Sequence, residues 1–366
     1  MVKIREALFN DFKDVMVLKN RYGLRTQSYE EWQHLWRNNP IIINIKKSWP
    51  IGWVLENDDK KIVGYFGNIP VAYEFKGERL IAAVASSWVV DVPYRNYSIL
   101  LINNYFAQKN ADLFLSTTTN YAAGKAFSSF RAQKVPVDSY DISLFWIINY
   151  QKFICSVLAK KKLPFAHIIS YPLSLTLWSV NKLIKKNHCI SQINRGVECY
   201  TAFDERFDLF WEKMKNLHNC KLLCVRSSQH LNWHFKYALL NGRVWIFGTE
   251  KKSEITSYAI FLREDVPKIG LRRIILVDFQ TIDDNPNVLR EMLLCGLEKC
   301  RKDDIYMLEI IGLNLQKRSI LETCSPIKRK LSSWPFFYKA KDNLLARELE
   351  KTDVWDPCSF DGDASL

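Results

Sequence analysis

The sequence predicts a mixed α/β protein built as two copies of one mixed-sheet unit, joined by an apolar helical segment. Three observations predict it. Short strands alternate with amphipathic helices along most of the chain, the order of elements after Glu198 repeats the order before Tyr140, and marker residues keep a register between the halves. Tyr65 and Tyr258 stand 193 residues apart, as do Arg79 and Arg272, while Trp36 and Trp233 stand 197 apart, a small loop difference. A chain of 366 residues exceeds one ordinary core. The boundaries expected are 1–140 for the first unit, 141–197 for an apolar and basic helical insert, 198–345 for the second unit and 346–366 for a tail.

The elements follow in order. Val2–Leu8 alternates as a short strand, and Asn10-Asp11 offers an N-cap for a helix running to about Asn20. A second helix is expected over Tyr29–Arg37, ending ahead of Asn38-Asn39-Pro40 because proline disfavours helix in the residue before it. Strands are expected at Gly52–Leu55, Lys61–Phe66, Val71–Phe75 and Leu80–Val90, with turns at Asn57-Asp58-Asp59 and Lys76-Gly77-Glu78 making an antiparallel meander. Tyr97–Gln108 has helical spacing, Leu113–Ser116 is an apolar strand, Asn120–Phe130 a helix, and Val135–Val137 opens another strand.

In the second copy Cys199–Ala202 reads as a strand, and Glu205–Leu217 and Gln229–Phe235 as helices. Val244–Gly248, Ile255–Leu262 and Arg272–Ile282 read as strands. Asn287–Cys300 is a helix, Ile305–Ile310 a strand, Asn314–Glu322 a helix and Pro335–Lys339 the last strand. A mixed sheet with helices on both faces is the economical arrangement for each copy.

Composition bounds the function. The chain is 48% hydrophobic and 13% aromatic, enough to bury a core, and glycine and proline are too sparse for a collagenous or low-complexity protein. A net charge of +13 favours anionic partners, such as the phosphates of CoA, a nucleotide sugar, a lipid headgroup or a nucleic acid, or else marks a solvated basic surface. The nine cysteines include no CxxC pair, and Met1–Glu6 reads as folded protein rather than a leader, so a reducing cytoplasm is expected.

HExxH, Walker, GxGxxG and GxSxG motifs are all absent from the sequence. His218, Cys220, Cys224, His230 and His234 lie close together, but Leu222–Arg226 reads as a strand that sends alternate side chains apart, so no metal is expected. The insert runs from Leu144-Phe145-Trp146-Ile147-Ile148 through Phe153–Ala159 to Lys160-Lys161-Lys162, then Leu163–Asn181 without formal charge, ending near Lys182, Lys185 and Lys186. Two readings stand for it: an apolar connector packed between the units, which is favoured, or peripheral contact with a membrane surface through 142–184. Lys328-Arg329-Lys330, followed by Trp334, Phe336, Phe337 and Tyr338, has the composition of an RNA-stacking stretch, but a buried last strand accounts for it more simply. tRNA is therefore not expected as a partner.

Ile4-Arg5-Glu6-Ala7-Leu8, with Asp11-Phe12, resembles the first strand and helix of the GNAT N-acetyltransferase superfamily. Trp36-Arg37, Asn39-Pro40, Ile62-Val63-Gly64-Tyr65 and Trp88–Arg95 continue the resemblance in order over Met1–Tyr140, and a weaker copy covers Glu198–Lys339. The tail, with Trp355 and Phe360-Asp361-Gly362-Asp363, is similar to the ending of two-domain GNAT-like proteins associated with polysaccharide biosynthesis, themselves related in architecture to the FemAB-type aminoacyl transferases.

This resemblance implies a tandem, duplicated GNAT-like fold. It also implies transfer of an acyl group from acetyl-CoA or another acyl-CoA to an amine or hydroxyl of a small molecule or saccharide. The thioester arm would enter where strand Leu80–Val90 splays from its neighbour, with backbone N–H near Val90 polarising the carbonyl. The diphosphate would lie on loop Pro93–Ser98 and the start of the following helix. The cofactor positions carried over are Val90, Arg95, Asn96, Tyr97, Ser98, Ile99, Leu100 and Asn120. Ser98 and Leu100 stand where the family has glycine and a small residue, which narrows the phosphate cradle.

The family's tyrosine acid falls near Ser128, leaving Tyr121 and Tyr97 as catalytic candidates against the alternative of core aromatics. Ala82–Ser87 holds no glutamate to act as base. In the second copy Asp283 and Asp284 would repel a diphosphate and Pro286 lacks a donor, so that copy is expected to support the first or to recognise the acceptor. FemAB-like aminoacyl transfer and a non-catalytic binding role are the alternatives.

Overall fold

The computed structural model describes residues 2–44, 48–184, 196–283, 285 and 287–366. Alternation at the start of the chain forms β1 (Lys3–Glu6), which pairs antiparallel with β2 (Gly52–Glu56) across three intervening helices. These are α1 (Phe12–Arg21), α2 (Tyr29–Arg37) and the short α3 (Pro40–Asn44). Helix α2 opens on a capping box, with Ser28 Oγ accepting from the Glu31 N–H at 3.1 Å and the Glu31 carboxylate accepting from the Ser28 N–H at 3.0 Å. Its Trp32, Leu35 and Trp36 stripe is buried.

The meander continues through β3 (Ile62–Phe75) and β4 (Glu78–Val90), then α4 (Ser98–Ala107), β5 (Leu113–Ser116), α5 (Tyr121–Ser129) and β6 (Gln133–Lys134). Strand β3 is continuous where the sequence reading expects two strands. Pro70 breaks no ladder on the β2 side, because pairing with β2 ends at Gly52 and Gly67, and the Pro70 carbonyl accepts from Asn39 Nδ2 at 2.9 Å.

The chain then forms β7 (Ile142–Ile147), α6 (Tyr150–Lys160), α7 (Ala166–Ile184), β8 (Glu198–Tyr200), α8 (Glu205–Leu217), β9 (Leu223–Cys224) and α9 (Ser228–Leu240). A second meander, β10 (Val244–Lys251), β11 (Glu254–Arg263) and β12 (Arg273–Thr281), leads to α10 (Asn287–Lys302), β13 (Met307–Ile311) and α11 (Leu315–Glu322). The last elements are β14 (Ile327–Lys330), β15 (Phe337–Ala340) and α12 (Asn343–Leu349).

Two mixed sheets result. One runs β1-β2-β3-β4-β5-β15-β6, with β9 added to β3, and the other runs β14-β7-β13-β12-β11-β10-β8. Each contains one parallel pair, β4 with β5 and β12 with β13. The halves exchange a strand. Strand β7, which the sequence reading puts inside the insert, lies between β13 and β14, and β15, which it puts in the second unit, lies between β5 and β6. An apolar run such as Leu144–Ile148 reads equally as buried helix or buried strand, and only a partner distant in sequence decides. The exchange makes one continuous core cluster with side chains from both sheets.

The duplication has a further correction. Measured from the caps Ser28 and Ser227, Trp36 corresponds to Phe235 rather than to Trp233. Trp233 instead joins the halves: its Nε1 donates to the His34 carbonyl at 3.1 Å, and the Trp233 carbonyl lies 2.9 Å from His34 Nε2.

Candidate functional site

Strands β4 and β5 pair only from Ala82 with Leu113 to Val84 with Leu115. Beyond Val84, β4 bends away. Its register against β3 passes from Gly67–Ser86 to Tyr65–Val89, so β4 carries one extra residue there, and Ser87 sits at φ 54. This bulge opens a gap between the strands. Asp91 N–H donates back to the Val63 carbonyl at 2.8 Å, so by the alternation of an antiparallel ladder the N–H of Val90 faces the gap that β5 has left.

The start of the next helix differs from the open loop expected at Pro93–Ser98. Val92–Tyr97 is a 3-10 turn running directly into α4. Pro93 presets this helical first turn, and no glycine is present to open it. Its first donors are already used: the Val92 N–H donates to Tyr22 Oη at 3.1 Å and the Tyr94 N–H to the Asp91 carbonyl at 2.9 Å. Asp91 is itself held by Arg21 at 2.6 Å and by the Tyr22 hydroxyl at 3.0 Å. Arg95, Asn96, Tyr97 and Ile99 are exposed, Ser98 and Leu100 half-buried, and Arg95 has no ion pair among the described residues.

Across the gap, Asn120 caps α5, its side-chain oxygen accepting from the Ala123 N–H at 3.0 Å. Its amide N–H remains for the cavity that it lines. Tyr121 is exposed beneath Lys125, whose Nζ lies 4.5 Å from the ring centroid, and Tyr97 is exposed at the start of α4. Neither candidate acid is drawn into the gap by a hydrogen bond among the described residues.

The gap contains a group that sequence reading missed. Asp363 lies in the mouth of the splay, where the Thr117 hydroxyl donates to Oδ1 at 3.0 Å and the Thr118 hydroxyl to Oδ1 at 3.1 Å. The Ser86 hydroxyl, on the β4 side, is a third group that favours its charged form. Burial pushes the Asp363 carboxyl above the usual aspartate range, and these three hydroxyls hold part of the rise back. Gly362 lets the tail come this close, because a Cβ there would stand 2.2 Å from Thr117 Oγ1. The signal in sequence was Asp361-Gly362-Asp363 near the end of the chain, which says nothing about where the tail docks. Nearby, burial and Arg25 bring Lys19 down to about 8, with Asp363 pulling the other way.

The second half repeats the splay with a different filling. Strand β12 pairs with β13 only from Arg273 to Leu276, and Asn314 caps α11 as Asn120 caps α5, accepting from the Lys317 N–H at 2.9 Å. Here the tail occupies the gap. Cys358 Sγ contacts Asp278 on β12 at 3.4 Å, and the Ser359 hydroxyl reaches the carbonyl of Ile311 on β13 at 3.5 Å. Asp356 accepts from Asn314 at 2.6 Å and from Lys317 at 2.7 Å. Arg226, buried, holds Asp278 at 2.8 Å and Asp361 at 3.0 Å, and burial still pushes Asp361 up to about 6. Of the second cradle's two carboxylates, Asp283 is paired with Lys251 at 2.9 Å, while Asp284 and Pro286 lie outside the described residues.

Between the halves lies a cavity of about 380 Å³. Thr117, Thr118 and Asn120 line it from the first half and Arg273 from the second, with Ser332 and Ser333 at its side. The other motifs are not brought together. Cys224 is buried in β9, His230 pairs with Ser227 and His234 with Ser365, and no cluster that could hold a metal is present among the described residues. Phe336, Phe337 and Tyr338 are buried in the exchanged strand region, and Lys328 and Arg329 are paired with Glu322 and Glu309.

No family model matches the sequence, and no curated protein matches it. Solved structures match its architecture. N-myristoyltransferase of Saccharomyces cerevisiae with bound myristoyl-CoA is similar with a TM-score of 0.55 over 93% of this chain and 79% of its own, at 9% identity. A GCN5-related N-acetyltransferase from Anabaena variabilis is similar at 0.54 over 93% and 73%, at 10% identity. The fold is GNAT-like. A Pyrococcus horikoshii protein named as an acetyltransferase shares that GNAT-like frame end to end, at 0.53 over 99% of this chain and 96% of its own, with 11% identity. Sequence identity this low carries architecture and leaves the chemistry to the site.

Proposed function

We propose that the first half binds an acyl-CoA in the gap between β4 and β5 and transfers the acyl group to an amine or hydroxyl of an acceptor held in the cavity between the halves. The observation that carries this reading is Asp363, a half-buried carboxylate held in the gap by the hydroxyls of Thr117 and Thr118. Burial, which raises its carboxyl above the usual aspartate range, suits it to take up a proton as a general base.

Acyl-CoA, when bound, supplies a thioester carbon open to attack. The chain's residues fit the thioester arm better than the diphosphate. Val90 presents its N–H to the gap, where it would polarise the carbonyl, and Asn120 offers an amide N–H to the arm. The 3-10 turn at Val92–Tyr97 has spent its first backbone donors, so the diphosphate would be met by the Arg95 side chain, with Ser98 as a second donor, instead of a backbone cradle. Asp363 would take the acceptor's proton through the Thr118 hydroxyl as the acceptor's nitrogen or oxygen bonds to the carbonyl carbon. The carbon–sulfur bond then breaks, and the departing thiolate is protonated from solvent. The second half, its gap filled by the tail, supplies one wall for the acceptor. The hydroxyls of Thr117, Thr118, Ser332, Ser333 and Ser359 around the cavity suit a polyhydroxylated acceptor, which supports a saccharide such as a polysaccharide precursor.

Calorimetric titration with acetyl-CoA and longer acyl-CoAs, on the wild type and on Arg95→Ala, tests the reading. Saturable binding, weakened about tenfold or more by the substitution, is expected for loss of a charge-assisted contact. Folded protein that binds no acyl-CoA would overturn it and leave a binding role without catalysis.

A further inference from the structure

Helix α7 is built inside out. Its buried positions are Ser170, Ser174 and Asn181, while Ile168 and Leu175 are 67% and 64% exposed. The buried face is satisfied within the α6–α7 hairpin: Asn181 Nδ2 donates to Tyr150 Oη at 2.8 Å, and the Ser170 and Ser174 hydroxyls donate to the carbonyls of His167 and Tyr171. The polar face is therefore a made contact and the apolar face an unmade one. Ten of the exposed large apolar side chains among the described residues lie between Leu163 and Leu183. The expectation of an apolar connector packed between the units is thus corrected, since most of this surface packs on nothing among the described residues. A patch of this kind requires an apolar partner.

The charge around the patch selects the partner. Between Asp141 and Glu198 the sequence has no acidic residue. Lys160, Lys161 and Lys162 form the end of α6 and the start of the hairpin turn, beside Phe165, which is 75% exposed. At the other end Lys182 Nζ lies 4.9 Å from the ring centroid of Trp178. A second copy would bring two cationic patches together. A bilayer surface with anionic headgroups meets the apolar stripe with acyl chains and the lysines with phosphate and carboxylate. No helix among the described residues is long and apolar enough to cross a membrane.

We propose that the α6–α7 hairpin docks this protein on an anionic membrane surface, with α7 lying along the interface and Lys160–Lys162 and Lys182 meeting the headgroups. Tryptophan and tyrosine at such an interface sit with ring in the apolar boundary and polar atom toward water, the placement open to Trp178 and Tyr171.

Flotation of the full chain with vesicles of phosphatidylcholine alone, or mixed with phosphatidylserine, tests this. Binding is expected to the mixed vesicles, with a bound fraction at least about tenfold above that for neutral ones, since each lysine near an anionic surface contributes roughly a fivefold factor. Ile168→Glu combined with Leu175→Glu should abolish flotation. The triple change Lys160→Gln, Lys161→Gln, Lys162→Gln should remove the preference for phosphatidylserine. Circular dichroism and gel filtration of each variant keep loss of fold apart from loss of docking. A wild type that floats with neither vesicle, or equally with both, overturns the proposal. So does a wild-type dimer that the double glutamate variant converts to monomer without any flotation, which would assign the face to a second copy.

Discussion

Asp363 and Thr117 bond to each other twice across 246 residues of sequence: the Thr117 hydroxyl donates to the Asp363 carboxylate at 3.0 Å, and the Asp363 N–H donates back to the same hydroxyl oxygen at 3.1 Å. The tail is thereby built into the splay of the first half, having already filled the splay of the second. One segment closes one gap and furnishes the other with a carboxylate.

Asp363→Asn keeps the shape and most hydrogen bonds but removes the base. Turnover, read as free thiol released from acetyl-CoA in the presence of amino sugars, should fall about 10²- to 10³-fold, with acyl-CoA affinity nearly unchanged. The wild-type rate should rise with pH through an inflection above the ordinary aspartate range, and the variant should lack that inflection. An unchanged rate and profile would remove Asp363 from the chemistry.

Arg226 joins Asp278 on β12 to Asp361 in the tail, with all three buried. Arg226→Met leaves two buried carboxylates without their cation and should cost about 3–5 kcal/mol by urea denaturation. Asp278→Asn in the same background should recover part of the loss, because one of the stranded charges is then gone.

His230 and His234 are brought down to about 4 and about 3 by burial, from an ordinary 6.5. The unfolded chain takes up protons at these positions that the folded chain refuses. Their contribution to stability is therefore whole above about pH 6.5 and is lost as the pH falls toward 4 and then 3, at about 1.4 kcal/mol per pH unit for each histidine. Asp361 works in the opposite sense, its raised carboxyl costing stability as the pH rises from 3.8 through about 6. The comparison that isolates the imidazole is wild type against His234→Phe. The urea midpoint of the variant should fall less between pH 7 and pH 5, and parallel curves would show that His234 takes no part.

Lys19 is buried and brought down to about 8 from 10.5. The folded state disfavours its charge, so stability from this group is full above about pH 10.5 and falls as the pH drops toward 8. Lys19→Met should stabilise the protein at pH 7 on the order of 2–3 kcal/mol, read as a raised urea midpoint. A destabilised variant would mean that the hydrogen bond from the amine to Gln27 Oε1, at 3.3 Å, outweighs its burial.

Much of the fold was legible because it rests on local signals. The span Leu113–Ser116 reads as an apolar strand and Glu205–Leu217 as a helix, and the structure keeps both spans, capping the helix with Asp204 and burying its stripe of Phe207, Phe210, Trp211 and Met214. Asn120 and Asn314 announce two helices at equivalent places because asparagine caps by a bond three residues long. The break expected between Phe66 and Val71 is absent, since a proline such as Pro70 is permitted wherever a strand edge goes unpaired, and that depends on where β2 stops.

By itself, the sequence determined the two-copy α/β plan, the apolar insert and the basic charge, which follow from periodicity and composition over a few residues; the cap expected at Asn10-Asp11 is not made, Asp11 instead accepting from the Leu8 N–H at 2.8 Å. Tertiary structure decided the rest. It exchanged β7 and β15 between the sheets, turned the apolar face of α7 outward, made a 3-10 turn of Val92–Tyr97, and carried Asp363 to Thr117 and Thr118. The strand exchange and the docking of Asp363 depend on partners far away in the chain, while Pro93 presets the turn locally. Strand pairing, burial and a raised pKa are properties of the assembled surroundings, which no short stretch of residues specifies alone.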